Sequence, residues 1–271
     1  MKPYITMFRS RFSLMLQYRT AAWAGFFTQA FFGFVIVMRY VGFFSSSVRE
    51  QPMNLQETVN YIWLGQAMFT LLPFNLDAEF AQRIRSGNIV YELTRPVMMY
   101  PFWFVRQAAN RIVPFLLRGI PLFIFAAAVL PLIGLESITL RLPELSGNIV
   151  LFIGSLLLAV IISSCFAMIM NLSLFWTISG EGVVYIVPAF MMLLSGIIVP
   201  VPFFPDWISP VINLLPFRGL IDVPIQIYLG QLDVPGILNH LFLQLVWIVL
   251  LLLTGHTILK KALKRVIIQG G

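Results

Sequence analysis

Asn148 to Trp176 reads NIVLFIGSLLLAVIISSCFAMIMNLSLFW, with no charged residue anywhere in it. A helix crossing a hydrocarbon layer about 30 Å thick needs roughly 20 apolar residues. The stretch exceeds that length and lacks the polar-apolar alternation of a barrel strand. In lipid its backbone groups can be satisfied within the segment only as a helix. Comparable apolar stretches lie on both sides. The composition agrees: 59% of the 271 residues are hydrophobic and 11% charged, with 25 Phe and 6 Trp. Soluble domains are roughly 25% charged, so so few polar groups cannot cover a water-facing surface, and the main solvent is lipid.

Working outward, the expected fold is an all-α polytopic membrane protein of one domain, residues 1–271, with six spans near 23–44, 57–76, 112–134, 148–176, 182–200 and 237–259. Residues 1–22 place Ile5, Phe8, Phe12, Met15 and Leu16 at helical spacing among Lys2, Arg9, Arg11 and Arg19, as in an amphipathic helix lying on the membrane surface. The first apolar stretch starts too late and runs too long for a cleavable signal. Pro114 and Pro121 are expected to interrupt the third span, and a tight turn around Ser179 to Gly182 leads into the fifth. Residues 200–236 carry seven prolines among Phe203, Phe204, Trp207 and Phe217, too apolar for a solvated loop and too broken for a straight span. They read as short re-entrant helices in the outer leaflet.

Positive residues cluster in the N-terminal segment, between the second and third spans (Arg83, Arg85, Arg95, Arg106, Arg111) and in the tail (Lys260, Lys261, Lys264, Arg265), whereas the opposite loops hold Arg49, Arg141 and Arg218. Lys and Arg stay on the cytoplasmic side during insertion, so both termini and residues 77–111 are expected inside. The net charge of +7 therefore flanks spans instead of forming a basic face, which argues against nucleic-acid binding.

Catalytic signals are missing. No G-x-x-x-x-G-K-[ST] loop is present to cradle nucleotide phosphates, so ATP and Mg would have to sit on another chain. His240 and His256 are several helical turns apart with no Cys or carboxylate cluster beside them, which gives no metal site. Neither a catalytic triad motif nor a cofactor-binding motif can be assigned. Cys165 reads as a small buried hydrophobe. Arg118 is the one charge well inside an expected span, where it either pairs structurally or meets substrate. Gln29, Gln66, Ser163, Ser164, Asn171 and Ser173 are polar positions in spans that mostly hold helices together, and no substrate path is assigned.

The informative polar element is NLDAEFAQRIRSGNIVYELTRP, Asn75 to Pro96. Asn75 or Asp77 can cap a helix, Glu79 and Arg83 form an i,i+4 pair, and Gly87 can end the helix in the left-handed conformation. Phe80 and Ile84 share its apolar face. A short amphipathic helix with a glycine stop suits insertion into a groove on a soluble partner; a solvated loop is the plainer alternative.

SGNIVYELTRP (Ser86 to Pro96), SGIIVPVPFFPDWISPVINLLPF (Ser195 to Phe217) and the six-span layout together resemble permeases of ABC-2-type transporters. More narrowly they resemble a bacterial subgroup with an S-G-x-I-x-x-x-L-x-R-P signature. The resemblance implies a type V exporter fold in the bacterial inner membrane, a cytoplasmic coupling helix, and outer re-entrant helices. It places Glu79, Arg83, Ile84, Arg85, Gly87, Glu92 and Arg95 at or near the ATPase contact, with Pro96 fixing the chain's exit toward the third span. It further implies two copies of a cytoplasmic ABC ATPase carrying ATP and Mg, and a second permease, identical or homologous. Its many Phe and Met residues suit an amphipathic or lipid-like cargo and equally suit contact with membrane lipid. The competing class is a secondary transporter or channel without an ATPase, which co-purification of a Walker-motif protein would distinguish.

Overall fold

The computed structural model describes residues 2–46, 50–94, 96–142, 148–177 and 180–264. Arg49, Arg95, Ser179 and Arg265, used above for topology, turn or partner contact, lie outside the described residues. Among the described residues the secondary structure is helical, without strands. The helices are α1 (Lys2–Gln17), α2 (Arg19–Ser46), α3 (Leu55–Met68), α4 (Ala78–Arg85), α5 (Val90–Leu93), α6 (Met99–Leu132), α7 (Asn148–Leu172), α8 (Glu181–Leu194), α9 (Ser209–Leu214), α10 (Asp222–Leu229) and α11 (Val234–Leu263).

Among the described residues, four stretches are long and apolar enough to cross a membrane: Thr20–Ser46 within α2, α6, Ile149–Phe175 covering α7, and α11. They contain four of the six expected spans, the first, third, fourth and sixth. The second and fifth expected spans are α3 and α8, of 14 residues each. At about 1.5 Å per residue neither covers a layer about 30 Å thick by itself. Both are cut short for local reasons. α3 starts at a capping box, in which Asn54 Oδ1 accepts from the Glu57 amide and Glu57 Oε2 accepts from the Asn54 amide, each at 2.8 Å. It tightens into a 3-10 turn, Phe69–Leu71, just before Pro73. α8 stops at Gly196, whose φ of +90° takes the chain out of the helix beneath the Tyr61 hydroxyl.

The third expected span differs in another way. The helix that contains it begins at Met99, well before 112, so residues 99–111 are helical and continuous with it. Its prolines do not interrupt it. Two five-residue π-helical turns, Phe115–Gly119 and Phe125–Val129, end at amides that reach back five residues, Ile120 to Phe115 and Leu130 to Phe125. Pro121 and Pro131 follow immediately. A proline lacks the N–H and its ring collides with the carbonyl four residues back; widening the preceding turn moves that carbonyl aside.

α7 is the central helix, packed by α6, α10 and α11, while α2 lies along α3 and α1 along the start of α6. The proline-rich segment folds into short helices, as expected. α10 is buried from Asp222 to Tyr228, and so is most of α3, from Thr58 to Met68. The two are joined by Tyr61, whose hydroxyl donates to Asp222 Oδ1 at 2.9 Å, and Arg218 Nε meets Asp222 Oδ2 at 2.5 Å. Outside, exposed apolar side chains run along α2 (Phe27, Phe31, Val35) and α11 (Phe242, Val249, Leu253). Surfaces of that extent belong against lipid or another protein.

Candidate functional site

The chain between α3 and α6 forms a helical hairpin, α4 and α5, turned at Gly87. Asp77 starts it. With extended backbone angles, φ −72° and ψ 114°, its carboxylate accepts from the amides of Glu79 and Phe80 at 3.1 Å. Its own amide donates to Asn171 Oδ1 on α7 at 2.8 Å. At the far end Gly87 has φ +73° with nothing near its missing side chain, and the Ile89 amide returns to the Arg83 carbonyl at 3.0 Å. The left-handed stop expected from the sequence is therefore present, and Asp77 rather than Asn75 is the cap.

Arginines from three helices converge on the hairpin's acids. Arg106 of α6 grips Asp77 with Nε and Nη2 at 2.5 and 2.6 Å, and its remaining nitrogen reaches Glu79. Arg11 of α1 meets Glu79 at 2.8 Å and lies 3.9 Å from Asp77. Arg83 pairs with Glu79 at 2.7 Å, the i,i+4 pair anticipated, and also with Glu92 across the hairpin. Asn110 adds a 3.1 Å bond to Asp77. Burial pushes the Asp77 carboxyl above its usual range, against the downward pull of the Phe80 amide, Arg11 and Asn110. The cluster is thus held by close, bidentate geometry against a desolvation cost.

Below the charges lies an aromatic floor. Phe80, 0% exposed, meets Trp103 edge-on with ring centroids 4.5 Å apart, and the guanidinium groups of Arg106 and Arg83 lie 5.0 and 5.8 Å from the same indole. Ile84 packs against this cluster too. The Phe80–Ile84 face is consequently occupied within the chain, not presented outward.

The residues singled out from sequence divide accordingly. Glu79, Arg83 and Glu92 engage one another and α6, Glu92 being buried; Ile84 faces inward; Arg85, Gly87 and Pro96 are exposed. With Arg85 and Gly87, the outward surface includes Gln82, Asn88, Tyr91 (68% exposed) and Met98 (71%). Sequence reasoning missed Arg11, Trp103, Arg106 and Asn110 as parts of the site. A signal existed: Trp103, Arg106, Gln107 and Asn110 recur at helical spacing, and Asp77 and Glu79 sit among apolar residues that demand partners.

A family model described as ABC-2 family transporter protein matches residues 25–270. Comparisons with curated proteins and with solved structures return no match.

Proposed function

Since the chain belongs to the ABC-2 family of transporter proteins, we propose that it forms the membrane half of an exporter whose ATPase is a separate polypeptide docking on the α4–α5 hairpin. Membership makes it a multi-pass membrane permease, a transport subunit that implies an ABC ATPase as partner. One observation supports the hairpin as the contact. A short, two-helix projection is tied by Asp77, Glu79 and Glu92 to Arg11, Arg106 and Arg83, so it cannot move without moving α1 and α6. A push on Tyr91, Met98 or Arg85 would thereby reach a helix long enough to cross the membrane.

In this reading two ATPase copies, loaded with ATP and Mg, close beneath two permeases, identical or homologous, and drive alternating access to an amphipathic cargo. α3 and α8, completed by the turns that follow them, serve as the shorter pair of six crossings, with both termini on the cytoplasmic side of a bacterial inner membrane. The lysines of α11's last turn, Lys260 and Lys261, and the basic residues of α1 support that orientation. The exposed apolar faces of α2 and α11 suit lipid and a second permease.

Topology and contact are tested together with Asn88→Cys. Asn88 is exposed and the native Cys165 is buried, so a membrane-impermeant maleimide should label only position 88. Labelling from the cytoplasmic face, and protection when the ATPase is co-expressed, is the expected result. Labelling from the external face alone would overturn the proposal.

A further inference from the structure

A cavity of about 450 Å³ opens between α2, the 3-10 turn after α3 and the first half of α6. Its walls mix apolar side chains with a group of polar ones. Gln29, Thr70, Gln107, Asn110, Arg111 and Arg118 line it, and five of their atoms are buried without a hydrogen-bond partner: Gln29 Oε1, Thr70 Oγ1, Gln107 Nε2, Asn110 Oδ1 and Arg111 Nε. Gln29 and Gln107 are 7% and 1% exposed. Burying unpaired groups in one place is costly unless a ligand completes them; Thr70 Oγ1, Gln107 Nε2 and Arg111 Nε can donate to an acceptor, whereas the Gln29 and Asn110 oxygens call for a donor such as a phosphate hydroxyl.

The charge has a sign. Asp77, at the cavity's edge, is neutralised by Arg106, and Glu79 by Arg11. Arg111 donates to the Leu72 carbonyl at 3.1 Å and has no carboxylate at ion-pair distance among the described residues. Arg118 has neither a hydrogen bond nor an ion pair among them; its side chain lies against Gly25, where an added Cβ would fall 2.7–2.8 Å from it. Gly25 therefore makes room for a guanidinium that finds no polar partner among the described residues. Two uncompensated arginines, the Gln107 amide and a hydroxyl describe a receptor for an oxyanion.

The surroundings indicate what carries that oxyanion. Gly25, Thr28 and Gln29 form the α2 wall, and one turn further Phe31 and Phe32 are 63% and 51% exposed. Phe69, Phe74 and Met15 also border the cavity. A charged pocket continuing into an aromatic stripe matches an amphiphile, head in the pocket and tail along α2. We infer that this cavity binds a phosphate-type oxyanion, presented as the headgroup of a membrane amphiphile. The site lies within this chain alone and does not depend on how an ATPase docks.

Native mass spectrometry of the purified full chain, offered dioleoyl phosphatidate and dioleoylglycerol, separates headgroup from tail. Phosphatidate should be retained about tenfold more strongly, and Arg118→Gln should remove most of that preference. Arg39→Gln, at an exposed position further along α2, should leave it intact. Thr28→Trp fills the exposed mouth without altering charge and decides the matter if Arg118→Gln fails to fold. A parallel thermal-shift series with glycerol 3-phosphate identifies the source: stabilisation by the soluble phosphate that is lost in the variants, without phosphatidate retention, assigns the site to a soluble oxyanion. Equal retention of the two lipids together with no response to glycerol 3-phosphate, or binding indifferent to both variants, would overturn the inference.

Discussion

Arg106 holds both carboxylate oxygens of Asp77, at 2.5 and 2.6 Å, and so fastens α6 to the first turn of α4. Both side chains are buried. Removing one partner from such a pair leaves the other charged and unpaired, at about 3–5 kcal/mol. Asp77→Ala should therefore lower the unfolding free energy in detergent by about that amount, with the lost helix cap adding about 1 kcal/mol. A double-mutant cycle with Arg106→Ala should show strong coupling. Additive effects would mean that the pair is not the brace described here.

Phe80 anchors the hairpin on Trp103. Phe80→Ala should cost about 3–5 kcal/mol, because a fully buried ring leaves a cavity that the helix can only partly close. Phe80→Leu should cost much less. Thermal unfolding of the two variants side by side checks the order.

At Gly87 the space is open, so only the left-handed backbone resists substitution. Gly87→Val should destabilise the hairpin by about 1–2 kcal/mol, and Gly87→Asn should recover most of that loss because asparagine tolerates this conformation. If valine and asparagine behave alike in stability and in ATPase association, the turn does not need this geometry.

Tyr91 and Met98 offer the most exposed large apolar side chains near the hairpin. Replacing either with alanine should change stability by no more than about 0.5 kcal/mol. ATPase co-purification should nevertheless fall by about tenfold or more if these are anchors of the contact. Phe80→Ala, in contrast, should reduce both stability and association.

Tyr61 and Asp222 test the second buried centre. Tyr61→Phe should cost about 1–3 kcal/mol by leaving a buried acceptor short of a donor. Asp222→Asn should cost more, since Arg218 then loses its counter-ion. Both are read from unfolding midpoints, and the reverse order would place the weight of the centre on Tyr61.

Much of this protein follows from local sequence. The apolar run of α7, the Glu79–Arg83 pair and the glycine stop at Gly87 are set by residues within a turn or two of one another and are present as expected, and of the two caps the sequence allows, Asn75 and Asp77, the second is used. Tertiary structure decided the rest. Hydropathy averages over all faces of a helix, so Trp103, Arg106 and Asn110 looked like a polar connection although their common face is turned inward to Asp77. Helix lengths were settled by packing as well: α3 is a short helix buried among others, and π turns carry α6 through its prolines. Which arginine meets which acid is likewise a matter of distance in space. Arg83 is held by Glu92 and Arg106 by Asp77, whereas Arg111 and Arg118 face a cavity, because a side chain's charge is legible in a sequence and its neighbours are not.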